Sequence, residues 1–151
     1  MTDSSRGWSP TTVALLQHAG WRPGRDVSGT IIFPSAFPLF PAAARVLAKF
    51  GHLRIGRQGP GLELAQSTVQ IDPMLGGYSE DEFAEAETLI HSALYPLGEI
   101  DGGYAFLAID QQGRIFIVRD IFRYVDASFD AALDRLLTGR RILPVDEQGH
   151  W

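Results

Sequence analysis

YAFLAIDQQGRIFIV, residues 104–118, is the stretch that decides the fold. It holds two runs of aromatic and branched apolar residues, 104–109 and 114–118, separated by Asp110-Gln111-Gln112-Gly113. Short runs of this kind bounded by turn residues read as strands, and a four-residue link ending in Gly folds the second back on the first as a hairpin. The pairing is therefore local and antiparallel. Residues 121–125 read as a further strand. Ser128 then caps a helix carrying Phe129, Ala132, Leu133, Leu136 and Leu137, which Gly139 closes.

The same punctuation organises the first half of the chain. Ser9-Pro10 starts a helix, Val13, Leu16 and Ala19 share one of its faces, and Gly20 ends it. Trp21-Arg22-Pro23-Gly24-Arg25 is a compact turn, with Trp21 read as a core anchor and Arg22 and Arg25 as partners in local ion pairs. Pro41 opens a second helix with Ala43, Val46, Leu47 and Phe50 on its apolar side, and Gly51 stops it. Leu53 and Ile55 alternate with polar neighbours, as do Leu62 and Leu64, so the two pairs read as a hairpin around residues 56–61. Val69 and Ile71 extend the sheet. Ser79-Glu80-Asp81-Glu82 has the pattern of a capping box. Phe83, Ala86, Ile90 and Ala93 form the stripe of a third helix that stops before Pro96. Phe50 and Phe106 both fall in apolar patterns and are expected in the core.

Hairpins rather than strand–helix–strand crossovers join the strands. The expected class is α+β: one domain, residues 1–151, with a mainly antiparallel sheet packed against about four helices. Segments 1–8 and 140–151 lack periodicity and are expected to be peripheral tails.

Composition narrows the function classes. The chain is 45% hydrophobic and 21% charged, ordinary for a globular protein. It has no cysteine, which removes disulfides, thiolate metal sites and a cysteine nucleophile. No apolar run approaches the roughly 20 residues of a membrane-spanning helix, and the first six residues lack the apolar core of a signal peptide. A soluble cytoplasmic protein is expected. Asn is absent and Lys49 is the sole lysine beside twelve arginines, a bias that fits a GC-rich bacterial genome.

Charge is unevenly distributed. Between Arg57 and Arg114 there are ten acidic residues and no Lys or Arg, whereas residues 1–60 hold seven basic and two acidic residues. Such asymmetry steers partners rather than specifying a fold. Asp72, Glu80, Asp81, Glu85, Glu87, Glu99 and Asp101 are the candidate partner-binding residues, facing a basic partner surface. The alternative is that these acids scatter over several faces and serve local structure, as Glu80, Asp81 and Glu82 do at a helix N-terminus.

Candidate chemistry is sparse. His18, His52, His91 and His150 have no metal-ligand spacing, and His18 and His91 suit helix C-termini. The serines lack a nucleophile-elbow pattern, and residues 56–61 match no phosphate loop. Glu99 and Asp101 flank Ile100 and could share acid–base work from one strand face, the alternative being solvated carboxylates at a strand end. Trp21, Arg22 and Arg25, or Arg119, Arg123 and Tyr124, could stack on a base and contact phosphate. A sequence pI near 5.2 and the lack of a basic stripe argue against direct nucleic-acid binding. No catalytic residue, metal or cofactor is expected.

Three pieces together resemble the third subgroup of the SUKH superfamily of immunity proteins. They are Ala19-Gly20-Trp21-Arg22-Pro23-Gly24-Arg25, then ARVLAKFGHL over residues 44–53, then residues 95–139. The last rests on Pro96-Leu97-Gly98-Glu99, Leu107-Ala108-Ile109-Asp110 with Gly113-Arg114, and Ser128-Phe129-Asp130-Ala131-Ala132-Leu133. The resemblance implies an α+β domain that is not an enzyme. It also implies binding to a cognate toxin, commonly a nuclease or deaminase, which is blocked by occlusion. Two departures stand out: Asp126-Ala127 replaces a Gly-containing turn, and no second Gly follows Phe50-Gly51. Readings outside that resemblance are an intracellular adaptor of the same fold, or a small hydrolase using Glu99, Asp101 or His91.

Overall fold

A computed structural model describes residues 7–151. Four helices, α1 (Pro10–Ala19), α2 (Pro41–Phe50), α3 (Glu80–Ile90) and α4 (Phe129–Thr138), accompany seven strands. The strands are β1 (Arg54–Ile55), β2 (Val69–Ile71), β3 (Leu94–Ile100), β4 (Ala105–Asp110), β5 (Ile115–Val118), β6 (Arg123–Asp126) and β7 (Leu143–Pro144). They lie in one sheet in chain order, each antiparallel to its neighbour. This is the α+β architecture expected from the hairpin at residues 104–118, whose register sets Phe106 opposite Val118 and Leu107 opposite Ile117. No described helix is long and apolar enough to cross a membrane.

All four positions of β5 are buried, which requires cover on both faces of the sheet. Leu107, Ile109, Ile115 and Ile117 point one way, toward the layer of α1, α2 and α4. Phe50 is the centre of that layer, 4.7 Å from Phe129 and stacked 5.9 Å from Trp21, with Trp8 edge-on to both Trp21 and Phe50. On the other face α3 sets Phe83 5.8 Å from Phe106, and Trp151 stacks 4.8 Å from Tyr124 beside Phe116. Phe106 is thus half-buried beneath a helix rather than enclosed in the core as expected.

Caps follow the sequence closely at both ends of α1 and of α4. The Ser9 and Ser128 hydroxyls accept from the amides of Thr12 and Ala131, and Gly20 and Gly139 take left-handed conformations after α1 and α4. The Ser79 capping box does not form. Ser79 has φ −109 and ψ 40, away from the extended conformation that aims a capping hydroxyl, and its side chain makes no cap bond. Helix α3 also ends earlier than its stripe suggests: His91 turns left-handed at φ 57, and Ala93 lies outside the helix. Pro96 then sits inside the central strand β3, where the register shifts between Pro96 and Gly98. A bulge is where an interior strand tolerates a residue without an amide. Gly98 is needed beside it, because a Cβ there would overlap the Gln70 carbonyl oxygen.

The expected hairpin of Leu53–Ile55 with Leu62–Leu64 is replaced by another pairing. Arg54 faces Gln70 and Ile55 faces Val69, so β2 takes the place assigned to residues 62–64. Leu62 and Leu64 are exposed, and their amides donate instead to the carbonyls of Thr138 and Gly139. The free carbonyls at the end of α4 compete for those donors and win. Arg25 serves a similar end: instead of an ion pair, its guanidinium donates to the carbonyls of Lys49 and Gly51 at 2.9 and 2.8 Å. His52, directly after Gly51, adopts φ 70, its amide bonded to the Ile71 carbonyl.

The described residues of the two segments expected as tails are mostly exposed but anchored at single points. Residues 1–6 lie outside the described residues, but Trp8 is buried and its indole donates to the Asp130 carbonyl at 3.0 Å. At the other end β7 pairs with β6, Val145 is buried, and Trp151 lies 5.3 Å beneath the Arg114 guanidinium. The last expected strand is also shifted, from residues 121–125 to β6, leaving Ile121 exposed.

Candidate partner-binding surface

Helix α3 carries the densest acidic run of the chain. Its buried residues are Phe83, Ala86 and Ile90, so the period of the helix turns Glu80, Asp81, Ala84, Glu85 and Thr88 to solvent. Glu80 and Asp81 lie in the first turn, where negative charge is favoured by the helix dipole. Three of the seven candidate acids therefore share one exposed face.

The other four lie elsewhere, and three have local tasks. The Glu87 carboxylate accepts the Leu94 amide at 2.7 Å and ties the link between α3 and β3. Asp72 accepts the Met74 amide at 3.0 Å and caps the short 3-10 turn Pro73–Gly76. Asp101 leaves β3 in a left-handed conformation, and its carboxylate accepts the Thr68 amide at 3.0 Å and the Ser67 hydroxyl at 3.4 Å. Glu99 is half-buried on β3, between Gln70 of β2 and Phe106 of β4. Asp101 is thus engaged in holding the start of β2, so strand alternation does not make Glu99 and Asp101 a matched pair. Among the described residues, no group of three or more His, Asp and Glu could hold a metal ion.

Beside the acidic face lies an apolar surface that strand and helix periodicity does not reveal. Ile32, Phe33, Leu39 and Tyr78 are 72%, 38%, 43% and 84% exposed. Ile31 packs inward against Gly51, which turns the next side chain outward. Phe37 is edge-on to Phe83 at 5.1 Å and to Tyr95 at 6.2 Å, pinning this loop against α3 and the sheet. Gly77 completes the junction, since a Cβ on it would stand 2.9 Å from the Pro34 Cβ. Phe33-Pro34 and Gly77-Tyr78 therefore run side by side, one turn before Glu80 and Asp81. Residues 27–44 and 73–79 contain no charged side chain. An uncharged, Pro-punctuated run of that length was the available sequence signal. Tyr95 below it is fully buried, its hydroxyl has no described partner, and burial pushes its pKa up to about 12.

At the edge of this loop Thr30 Oγ1 lies 2.8 Å from His52 Nε2, and the Thr30 hydroxyl also donates to the Val27 carbonyl at 2.7 Å. The loop holding Phe33 meets Gly77 just before the acidic helix begins, and exposed apolar side chains near acidic ones have the composition of a recognition surface. A model of the SUKH-3 immunity protein family matches residues 8–139, a span that includes all four helices and β1 through β6. No curated protein and no solved structure matches the chain.

Proposed function

Because this chain belongs to the SUKH-3 immunity protein family, we propose that it binds a cognate bacterial toxin of nuclease or deaminase type in the cytoplasm and neutralises it by occlusion, without chemistry of its own. The family match over residues 8–139 carries this reading. The acidic face of α3 supports the choice of toxin. A protein that works on nucleic acid needs cationic groups for phosphate, and an opposed acidic surface attracts those groups and accelerates encounter. Glu80, Asp81 and Glu85 are the acids placed to meet them directly. Asp72, Glu87, Glu99 and Asp101 add to the long-range field while holding their local partners or strand positions.

The test is co-expression with the product of the adjacent gene. The expected outcome is a stable complex on gel filtration and restored growth of a host expressing that toxin. The reading fails if the purified protein neither binds that product nor restores growth. Turnover by the pure protein that vanished on Glu99→Gln would instead make it an enzyme.

A further inference from the structure

We infer that the toxin docks on a composite surface, with Ile32, Phe33 and Tyr78 as its desolvated centre and Glu80, Asp81 and Glu85 as its rim, and that the matching toxin surface is apolar with a Lys and Arg border. The inference rests on the toxin-binding reading and goes further by locating the interface. Ile32 and Tyr78 are 72% and 84% exposed, although Ile31, Pro34 and Phe37 beside them are turned inward. Large apolar side chains held outward by a rigidly packed loop are poised to be covered by another surface. The loop is rigid because Phe37 is locked against Phe83 and Tyr95.

Charge selects the occupant. No basic residue interrupts either the uncharged segments 27–44 and 73–79 or the acidic face that follows. An anionic lipid surface would be repelled by that rim, whereas a protein patch bordered by Lys and Arg is attracted. Interfaces concentrate affinity in aromatic and large apolar side chains at the centre, while rim charges govern encounter. The two parts of the surface therefore have separable kinetic signatures: the centre sets dissociation and the rim sets association.

The experiment is biolayer interferometry of the full chain against the purified product of the adjacent toxin gene. Ile32→Arg with Tyr78→Arg should weaken binding roughly a hundredfold, mainly through faster dissociation. Leu62→Arg, an equally exposed change beyond the C-terminal end of α4, should shift it less than about twofold. Circular dichroism melts should be unchanged by either. Should the Arg pair lower the melting temperature, Phe33→Ser with Tyr78→Ser is scored in its place. Unchanged affinity in the scored pair, with wild type still binding, overturns the interface and leaves toxin binding intact at another face. An equal loss from Leu62→Arg overturns it as well. A wild-type dimer in light scattering that the scored pair dissolves would assign the patch to self-association instead. Absence of wild-type binding overturns the toxin-binding reading, and this inference with it.

Discussion

Replacing Asp110 by Ala tests how much of the central hairpin depends on one buried carboxylate. The Asp110 side chain is inaccessible to solvent, and its carboxylate meets the Arg114 guanidinium at 2.6 Å. It also accepts the amides of Gln112 and Arg114 at 3.0 and 2.9 Å, and the Ser92 hydroxyl at 3.4 Å. Breaking a buried ion pair costs about 3–5 kcal/mol. Arg114 retains 26% of its side-chain exposure, so water recovers part of its solvation and the lower end applies. The Gln112 amide lies in an exposed turn and finds water, whereas the Arg114 amide loses a bond of about 1 kcal/mol. The expected total is roughly 3–4 kcal/mol. At about 2–4 °C per kcal/mol for a domain of this size, the melting temperature should fall by about 6–16 °C. Urea titration and thermal melts followed by circular dichroism measure both quantities. Asp110→Asn keeps an acceptor for the amides but not the charge, and should lose about half as much. A change below about 1 kcal/mol in the Ala variant would refute the reasoning, because the carboxylate would then be replaceable by water.

Phe50→Ala should cost about 4 kcal/mol in chemical unfolding, since the ring is enclosed by Trp21, Trp8 and Phe129; Phe106→Ala, half-buried under Phe83, should cost about half that. Trp21→Ala should lower the melting temperature and weaken toxin binding only in proportion to the unfolded fraction; lost binding at an unchanged melting temperature would make Trp21 an interface anchor. Asp81→Lys with Glu85→Lys should slow association and flatten its dependence on salt, because attraction between these solvated charges and a basic partner is screened within about 8–10 Å at physiological ionic strength. An unchanged association rate at low salt would remove the acidic face from docking. Tyr95→Phe removes a buried hydroxyl without a described partner and should leave stability unchanged or slightly raised. The Tyr95 pKa stands at about 12 in the fold, above its ordinary value. Its contribution is therefore complete below the unfolded value and lost as pH rises through the alkaline range, a loss that Tyr95→Phe should abolish in stability curves.

Much of the fold was legible because the signals were local. Ser9 and Ser128 place two helix starts through cap bonds formed within a few residues, Pro41 places a third through its fixed φ, and the link at residues 110–113 determines which two strands meet. The acidic face of α3 was legible for the same reason: helical period alone separates Glu80, Asp81 and Glu85 from Phe83, Ala86 and Ile90. Bonds between distant residues left no such trace. Alternation at Leu62 and Leu64 looked like a strand, but the carbonyls ending α4 took those amides. Asp101 reaches back to Thr68, and Glu87 reaches Leu94 past the end of its own helix, so neither role could be read from neighbours.

Composition and spacing thus determined the class of the fold, the order of its elements and the sign of one helix face. These depend on side-chain period and on turns closed over short distances. Tertiary structure alone decided that β2 rather than residues 62–64 pairs with β1, and that Trp8 and Trp151 close opposite faces of the sheet. It also decided that Ile32, Phe33 and Tyr78 stand exposed beside the acidic helix. Those outcomes follow from competition among distant donors, acceptors and apolar surfaces, which is resolved only when the whole chain is packed.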